Sequence, residues 1–454
     1  MKANLVAISA VLVTVFSLAV FSADVQAPDN VFPLNEVKHG MVGYGFSDFG
    51  PDYSNKFSFR VISVTKSFNG YKHDIIWAIL YDNPVLTKKD SGVFAGMSGS
   101  PCYSEDGRFL GTVSEGYGGS LEPMAGITPA CDVLAVNDKN FLAESKDPSN
   151  NSIAHLNDYN FQCGASNSLM IVSAGRMYSE NYENLNKLLA SKPLVLSVGR
   201  SDFEANPFGN LKLADKNLNP GDSVGVGLVV GDVTISGTGT VSYVSGKDVW
   251  IFGHPMFQMG KVNFAMLAAE TQGVFIVQPR PWKNTNTGEV IGTFTQDRFG
   301  AVYGHLGQMP EMIPVKVDRE INGKKETLNF YIVKQSGLTP LLMVLSVKNL
   351  LTDFSDNQKV GVSIKVLVCV NNGEIKTLSM IGSDTGMVTE VLKFFNSEFT
   401  KMISAGYTSS GEKSKWQSFS KRDKQDKKDK DKKDVASEPL VIGEIYINLS
   451  LHDQ

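Results

Sequence analysis

Residues 96–101 read Gly-Met-Ser-Gly-Ser-Pro, a turn that could present a nucleophile. Glycines on both sides of Ser98 allow a sharp turn that exposes the hydroxyl and points successive backbone N–H groups into the same space. A nucleophile next to an oxyanion hole is what acyl transfer requires. The turn alone does not establish an enzyme, because glycine and serine also occur in many surface turns of β-rich proteins.

A serine nucleophile needs a general base, usually histidine, and the chain has six histidines. His254 has the most informative context, because Gly-His-Pro follows the apolar run 249–252 and so places the imidazole at a strand end beside a stiff proline turn. The alternative for His254 is a structural hydrogen-bonding role. The other five histidines lie in turns, in a polar linker, near strand ends or at the terminus: His39, His73, His155, His305 and His452.

The base in turn needs a group that orients it, and three aspartates are candidates. Asp82 ends the apolar run 75–81, and Asp90 lies nearer to the serine. Asp297 is the third candidate, although its neighbour Arg298 makes a salt bridge or a turn an equally good explanation. The residues alone do not choose among the three.

Composition bounds the class of protein. The chain has 454 residues, of which 42% are hydrophobic and 20% charged, so it can bury a large core in two or three domains. Its formal net charge of −4 offers no basic field for nucleic acid.

Lys2 and the apolar run 5–21, followed by small residues up to Ala27, predict a signal peptide over residues 1–27 rather than an uncleaved anchor. We therefore expect an exported protein of the periplasm, cell envelope or extracellular space, with no stable membrane insertion after cleavage.

The four cysteines do not indicate a metal site. Cys102, Cys131, Cys163 and Cys369 include no C-x-x-C pair, which argues against zinc. An oxidising compartment would permit disulfides, but spacing does not reveal their pairing, and four small buried residues are the alternative. We expect no cofactor.

The pattern along the chain predicts a mainly β protein. Short strands separated by glycine turns fill residues 40–140, and a second β-rich block runs over 194–316. Helical spacing appears at 178–190, and one amphipathic helix is predicted where Val388, Val391, Leu392, Phe395, Phe399 and Met402 would share a face. A tract of Lys, Asp, Ser and Gln at about 409–437 predicts a disordered charged loop before a final strand.

Several stretches resemble the SpoIVB-type serine peptidases, the family of the stage IV sporulation protein B peptidase. Residues 40–45 resemble the opening of that domain, residues 92–101 its nucleophile segment, and residues 125–129 its close. The Gly-Thr-Gly-Thr strand at 237–243, followed by Trp-Ile-Phe-Gly-His at 250–254, resembles the family's histidine segment. The resemblance covers residues 36–137 well and 219–307 more loosely, and the histidine segment follows the serine segment here instead of preceding it.

The resemblance implies a fold and an activity. The expected fold is a chymotrypsin-like region of two β-barrel halves, followed by a β-rich C-terminal domain. It implies that Ser98 is the nucleophile, His254 the general base and Asp82 the orienting acid. The organisation we expect is a signal peptide at 1–27, the serine half at 28–140, a linker and helix at 141–193, the histidine half at 194–316 and the C-terminal domain at 317–454.

Two functions remain open at this stage. The first is a secreted or envelope serine endopeptidase that cleaves a protein or peptide substrate through an acyl-enzyme. In it the N–H groups of Gly96, Met97 and Ser98 stabilise the oxyanion. The second is a non-catalytic β-rich envelope protein that keeps the peptidase fold for binding or assembly. The separation between the His254 nitrogen and the Ser98 oxygen discriminates between them.

Overall fold

The computed structural model describes residues 30–68, 73–88, 92–117, 120–141, 171–174, 195–197, 211–277, 281–335, 338–351, 357–370, 375–401 and 442–453. The predicted signal peptide, the helix at 178–190, the charged loop at 409–437 and the residues Asp90, His155 and Cys163 all lie outside this part of the chain. Within it, no helix has the length and apolar character that crossing a bilayer requires.

The described chain is mainly β, as the sequence predicts, and its first six strands close a barrel. Residues Phe57, Phe59 and Val61 alternate inward along one strand and lie in the barrel core, because successive side chains of a strand point to opposite faces. The strands are β1 (Val42–Phe46), β2 (Lys56–Thr65), β3 (Ile75–Tyr81), β4 (Pro101–Ser104), β5 (Phe109–Gly116) and β6 (Met124–Pro129), paired in the order β1-β2-β3-β6-β5-β4.

Short helices precede, interrupt and follow the strands of this barrel. A 3₁₀ turn at Leu34–Glu36 precedes it, and α1 (Pro84–Thr87) follows β3. Asn83 caps α1, because its side chain accepts a hydrogen bond from Val85 N–H. After β6 the chain forms α2 (Ala130–Leu134) and a second 3₁₀ turn at Lys139–Phe141.

Six of the next eight described strands pair into another closed ring, and the other two, Ile171–Ala174 and Val195–Ser197, pair outside it. Every residue of one strand, Ser223–Gly231, is buried, which its run of small and β-branched residues permits. The strands are β7 (Ile171–Ala174), β8 (Val195–Ser197), β9 (Ser223–Gly231), β10 (Ile235–Ser245), β11 (Asp248–Ile251), β12 (Gly260–Phe275), β13 (Trp282–Arg298) and β14 (Ala301–Leu306). The pairings run β9-β12-β13-β14-β11-β10 and return to β9.

The C-terminal elements continue the sheet of the second ring. The strand Lys324–Val333 pairs with β9, and one hydrophobic core extends from Leu218 to Leu451. The elements are β15 (Met312–Ile321), β16 (Lys324–Val333), α3 (Thr339–Leu350), β17 (Val360–Val370), β18 (Ile375–Asp384), α4 (Met387–Phe394) and β19 (Ile442–Asp453).

The segment for which the sequence predicts an amphipathic helix begins as α4 and continues as a π-helical turn over Phe395–Phe399. Its buried side chains are those of Met387, Val391, Phe395 and Phe399, and they belong to the core that extends from Leu218 to Leu451.

The first barrel and the second ring dock through specific contacts. Trp250 Nε1 donates to the carbonyl oxygen of Val136 at 2.6 Å, and Ser223 Oγ donates to Asp48 at 2.9 Å. The first barrel supplies the Ser98 turn and the second ring the His254 turn, so this interface positions the site.

Candidate active site

The Ser98 turn is held by glycines that adopt conformations other residues avoid. Gly96 has φ 96° and Gly99 has φ 98°, both in the region that favours glycine. Gly99 also lies against the second ring, where an added Cβ would be 1.8 Å from the carbonyl oxygen of Thr240. Gly99 N–H donates to Val113 O at 2.8 Å, so the turn is tied to β5 as well.

The His254 turn follows β11 and is equally constrained. Phe252 and Gly253 have φ values of 73° and 70°, which turn the chain sharply before the histidine. Thr128 of the first barrel donates from Oγ1 to Gly253 O at 2.7 Å, and the Phe252 ring stacks on the imidazole at 5.6 Å. The imidazole is therefore fixed by the sequence around it and by the opposing barrel.

The two turns bring Ser98 and His254 together. Nε2 of His254 lies 2.7 Å from Oγ of Ser98, and Nδ1 lies 2.9 Å from the carbonyl oxygen of Pro255. A carbonyl oxygen only accepts, so Nδ1 must carry a hydrogen and donate it. In the neutral ring Nε2 then holds the lone pair and accepts the Ser98 hydroxyl, which is the arrangement a general base needs.

The structure places Asp82 away from this pair. Asp82 is exposed in the turn after β3, with φ 58°, and among the described residues no hydrogen bond or ion pair joins it to His254. Its neighbour Asn83 is the buried polar residue of this turn and donates to Ser54 O and Lys56 O at 2.8 and 2.9 Å. Asp82, the aspartate that the family resemblance implies, therefore lies at the surface, because this turn directs the side chain of Asn83 into the interior instead.

Asp297 lies beside the His254 turn. Its carboxylate is fully buried and accepts hydrogen bonds from three N–H groups, those of Met256 at 2.7 Å, Phe257 at 2.8 Å and Met259 at 3.2 Å. These amides follow the histidine by two, three and five positions. Asp297 therefore anchors the chain that carries His254, and the hydrogen bonds stabilise its negative charge in the interior.

The amides of the Ser98 turn divide into two groups. Met97 N–H donates to Phe94 O at 3.1 Å, so the amide of Met97, which we expected in the oxyanion hole, is already bonded. Gly96 and Ser98 are buried, yet among the described residues neither N–H donates a hydrogen bond. Buried amides without an acceptor are rare, which makes these two N–H groups the candidates for binding an oxyanion.

The described histidines other than His254 have partners elsewhere. His39 contacts Ile62 O at 2.7 Å, and His73 lies 3.4 Å from Asp132. His305 lies 2.8 Å from both Asp248 and Asp138. The ring of His452 packs against Gly361, where an added Cβ would be 2.2 Å away.

The described cysteines are thiols rather than disulfides. Cys102, Cys131 and Cys369 are free, and Cys102 is buried. Burial raises the pKa of Cys102 far above its usual range, and burial together with Asp132 raises that of Cys131 to about 11. Among the described residues no cluster of three or more His, Cys, Asp or Glu side chains could hold a metal ion.

Lys283 is a buried cation next to the Ser98 turn that the sequence analysis missed. Its side chain has 0% exposure, and burial lowers its pKa to about 8 while the charge of Asp48 opposes that shift. Burial by itself would raise the pKa of Asp48. The charge of Lys283 and hydrogen bonds from Gly50, Ser223 and Thr271 outweigh burial, so the pKa of Asp48 is lowered. A single lysine in the polar strand sequence Trp-Lys-Asn gave no signal of this position.

The site is closed to solvent in this conformation, because Ser98 is 0% and His254 5% exposed. Comparison with protein-family models, with curated proteins and with solved structures finds no match for this chain.

Proposed function

We propose that this protein is an exported serine endopeptidase of the SpoIVB type that cleaves a protein or peptide substrate through an acyl-enzyme. The observation that carries the proposal is the contact of 2.7 Å between Ser98 Oγ and His254 Nε2, made with Nδ1 anchored on a carbonyl oxygen. A serine and a histidine in this relation are the nucleophile and base of acyl transfer. The apolar N-terminal segment of the sequence supports export.

In the proposed mechanism Ser98 attacks the substrate carbonyl while His254 Nε2 accepts the hydroxyl proton. The bond from Nδ1–H to Pro255 O keeps the ring oriented throughout. The imidazolium then donates its proton to the leaving amine, and a water molecule activated by the same nitrogen releases the acyl group. The N–H groups of Gly96 and Ser98 receive the oxyanion.

We propose Asp297, rather than Asp82, as the acidic residue of the site. Its buried negative charge lies beside the chain segment that holds the histidine, through the amides of Met256 and Phe257. A buried carboxylate there stabilises the imidazolium that forms when Ser98 loses its proton. Asp297 and His254 both come from the second ring, so their relation does not depend on how the two halves dock.

The architecture we propose is chymotrypsin-like, with two barrels, and the closure of both rings of strands supports it. Each closed ring of six strands contributes one turn to the site, Ser98 from the first and His254 from the second. Because triads form with different chain orders in unrelated proteins, the serine half can precede the histidine half without loss of the geometry.

Labelling by a fluorophosphonate probe tests the proposal. We expect the purified wild-type protein to form an adduct on Ser98, located by mass spectrometry of the digested protein, and Ser98→Ala to abolish it. Ser100→Ala is the matched control, since Ser100 belongs to the same turn but its hydroxyl donates to Met97 O at 2.6 Å. It should retain labelling.

The alternative, a non-catalytic envelope protein that retains the fold, is favoured by one observation. Ser98 is fully buried, so a substrate reaches it only after the covering residues move. Wild-type protein that is never labelled, and that hydrolyses neither activated esters nor unfolded proteins, would establish this alternative in place of the peptidase.

A further inference from the structure

Lys283 places an ammonium group in the interior between the two halves of the site. Its Nζ donates to Thr240 Oγ1 at 3.2 Å and to Ser47 Oγ at 3.5 Å, and Asp48 supplies the nearby negative charge. Burial of a charge is costly unless it is paired and hydrogen-bonded. An apolar side chain would fill this space at a lower cost in free energy, so the presence of a hydrogen-bonded ammonium here needs a reason.

The ammonium fixes the direction of the Thr240 hydroxyl. An ammonium only donates, so Thr240 Oγ1 accepts from Lys283 and its own hydrogen goes elsewhere. That hydrogen is donated to Gly96 O at 2.8 Å. Thr240 N–H donates to Ser98 O, also at 2.8 Å. Thr240 therefore holds carbonyl groups on both sides of Met97, and Lys283 sets the orientation of one of those bonds.

The main chain of Lys283 holds the preceding peptide of the same turn. Lys283 N–H donates to Ala95 O at 3.0 Å, and Ala95 N–H donates to Pro281 O at 2.9 Å. In a trans peptide the C=O and the following N–H point in opposite directions. Fixing Ala95 C=O on Lys283 therefore aims Gly96 N–H away from the lysine.

Gly96 is thus held at both of its peptide bonds by one lysine. The main chain of Lys283 holds the Ala95–Gly96 peptide, and its side chain holds the Gly96–Met97 peptide through Thr240. This matters because a glycine at φ 96° has little intrinsic preference and its peptides rotate readily.

We propose that Lys283 is a positioning residue that holds both peptide bonds of Gly96, the first through its main chain and the second through Thr240, and so keeps Gly96 N–H aimed into the oxyanion hole. The inference rests on the proposed function, because an oxyanion forms only if Ser98 attacks a carbonyl. The Lys283 side chain acts on the turn and does not touch substrate. Its contribution appears in the acylation step and leaves ground-state binding unchanged.

A double-mutant cycle tests the coupling. Lys283→Met removes the ammonium and keeps the chain length, and Thr240→Val removes the hydroxyl and keeps the N–H that binds Ser98 O. In Lys283→Met the carboxylate of Asp48 loses its countercharge but keeps its hydrogen bonds from Gly50, Ser223 and Thr271, and near-UV circular dichroism checks that both variants fold. For hydrolysis of p-nitrophenyl acetate, each should lower kcat with little change in KM, by up to the roughly 10²- to 10³-fold that loss of one oxyanion donor costs.

The pattern across variants identifies the mechanism. The double variant should be no slower than the slower single variant, because both changes break the same chain of hydrogen bonds. Thr240→Ser restores the hydroxyl and should restore kcat. Ser47→Ala is the matched control, since Ser47 contacts the ammonium but not the turn, and it should acylate at the wild-type rate. A Lys283→Met protein with wild-type kcat, or effects that multiply in the double variant, would overturn the inference while leaving the proposed peptidase intact.

Hydrogen exchange separates this inference from the proposed function. The peptide that contains residues 94–98 should exchange faster in Lys283→Met and in Thr240→Val than in wild type, and Ser47→Ala should not change it. If wild-type protein neither reacts with the ester nor binds the fluorophosphonate, the proposed function fails. Unchanged exchange in both variants then overturns the positioning role as well.

Discussion

Nε2 of His254 lies 2.7 Å from Oγ of Ser98, although 156 positions separate the two residues in the chain. No local element holds them together, because Ser98 belongs to the first barrel and His254 to the second ring. The contact depends on the docking of these two bodies, through Thr240 N–H on Ser98 O at 2.8 Å and Thr128 Oγ1 on Gly253 O at 2.7 Å. Changes at this interface should therefore slow fluorophosphonate labelling before they unfold the first barrel or the second ring.

Asp297→Asn should slow fluorophosphonate labelling, but by less than the roughly 10⁴-fold loss seen when a triad aspartate bonded to the histidine ring is replaced by asparagine, because Nδ1 of His254 donates to Pro255 O and keeps its tautomer in the variant. An amide offers one acceptor oxygen in place of two and carries no charge, so it leaves an N–H of Met256, Phe257 or Met259 unpaired and no longer stabilises the imidazolium. The rate of labelling, compared at equal folded fraction, is the measurement.

Asp82→Asn is the matched control for Asp297→Asn, because Asp82 is exposed and separate from His254. It should label at the wild-type rate. The assignment of Asp297 is wrong if Asp82→Asn loses labelling while Asp297→Asn keeps it.

Gly99→Ala should disrupt the interface between the two halves. An added Cβ at Gly99 would lie 1.8 Å from Thr240 O and 2.7 Å from Phe252 N, and φ 98° is strained for alanine. Neither backbone atom can move without displacing the Ser98 or the His254 turn. We expect loss of labelling and a free energy of unfolding lower by several kcal/mol, the range of severe point mutations.

Gly92→Ala separates strain from steric clash. Gly92 also has a positive φ, 83°, but an added Cβ there would meet nothing within 4 Å. Gly92→Ala should lower the free energy of unfolding only through backbone strain, by about 1–2 kcal/mol, and labelling should be retained. Equal unfolding midpoints in urea for the two alanine variants would contradict the proposed clash.

The sequence predicts the mainly β fold and both residues of the Ser98–His254 pair, because local patterns carry that information. Strand alternation, as in Phe57 and Phe59, is a property of neighbouring residues. In the Gly-x-Ser-Gly turn and the Gly-His-Pro turn, the glycine and proline residues likewise indicate the backbone conformation.

The rest of the site depends on contacts between distant segments. Asp82, Asp90 and Asp297 look alike in sequence, and only the fold decides which carboxylate meets the amides that follow His254. Whether the amide of Met97 is available depends on the bond it makes to Phe94 O, and the burial of Lys283 depends on the docking of the first barrel and the second ring. None of these relations leaves a periodic or compositional signal.

Thr128→Val should weaken the attachment of the His254 turn to the first barrel. The change removes the hydroxyl that donates to Gly253 O and leaves that carbonyl without this donor in a buried place. We expect a loss of about 1–3 kcal/mol in the free energy of unfolding and slower labelling.

Ser114→Ala provides the comparison for Thr128→Val. Ser114 Oγ lies 2.9 Å from Thr128 Oγ1 but donates to Gly126 O within the first barrel. It should lower stability without slowing labelling to the same extent. If both variants label equally, the bond across the interface does not position the histidine.

Lys283 should make the stability of the protein rise with pH above about 8. In the unfolded chain a lysine keeps its proton up to its ordinary pKa of 10.5, whereas in the folded protein burial lowers that pKa to about 8. Between these values the folded state binds fewer protons, so raising the pH favours folding, by at most about 3 kcal/mol across the window. Below about pH 8 the buried ammonium stays charged and this gain is absent.

Urea unfolding of wild type and Lys283→Met at about pH 7 and about pH 9.5 isolates this contribution, because the other lysines and tyrosines titrate in both proteins. The free energy of unfolding of wild type minus that of Lys283→Met should be larger at the higher pH, since the variant has no ammonium to discharge. Asp48 loses its countercharge in the variant, but its hydrogen bonds from Gly50, Ser223 and Thr271 remain, and it stays ionised over the whole window. A difference that is constant or that falls with pH would show that Lys283 does not titrate in the interior, and the ammonium would then remain bound to Thr240 throughout this pH range.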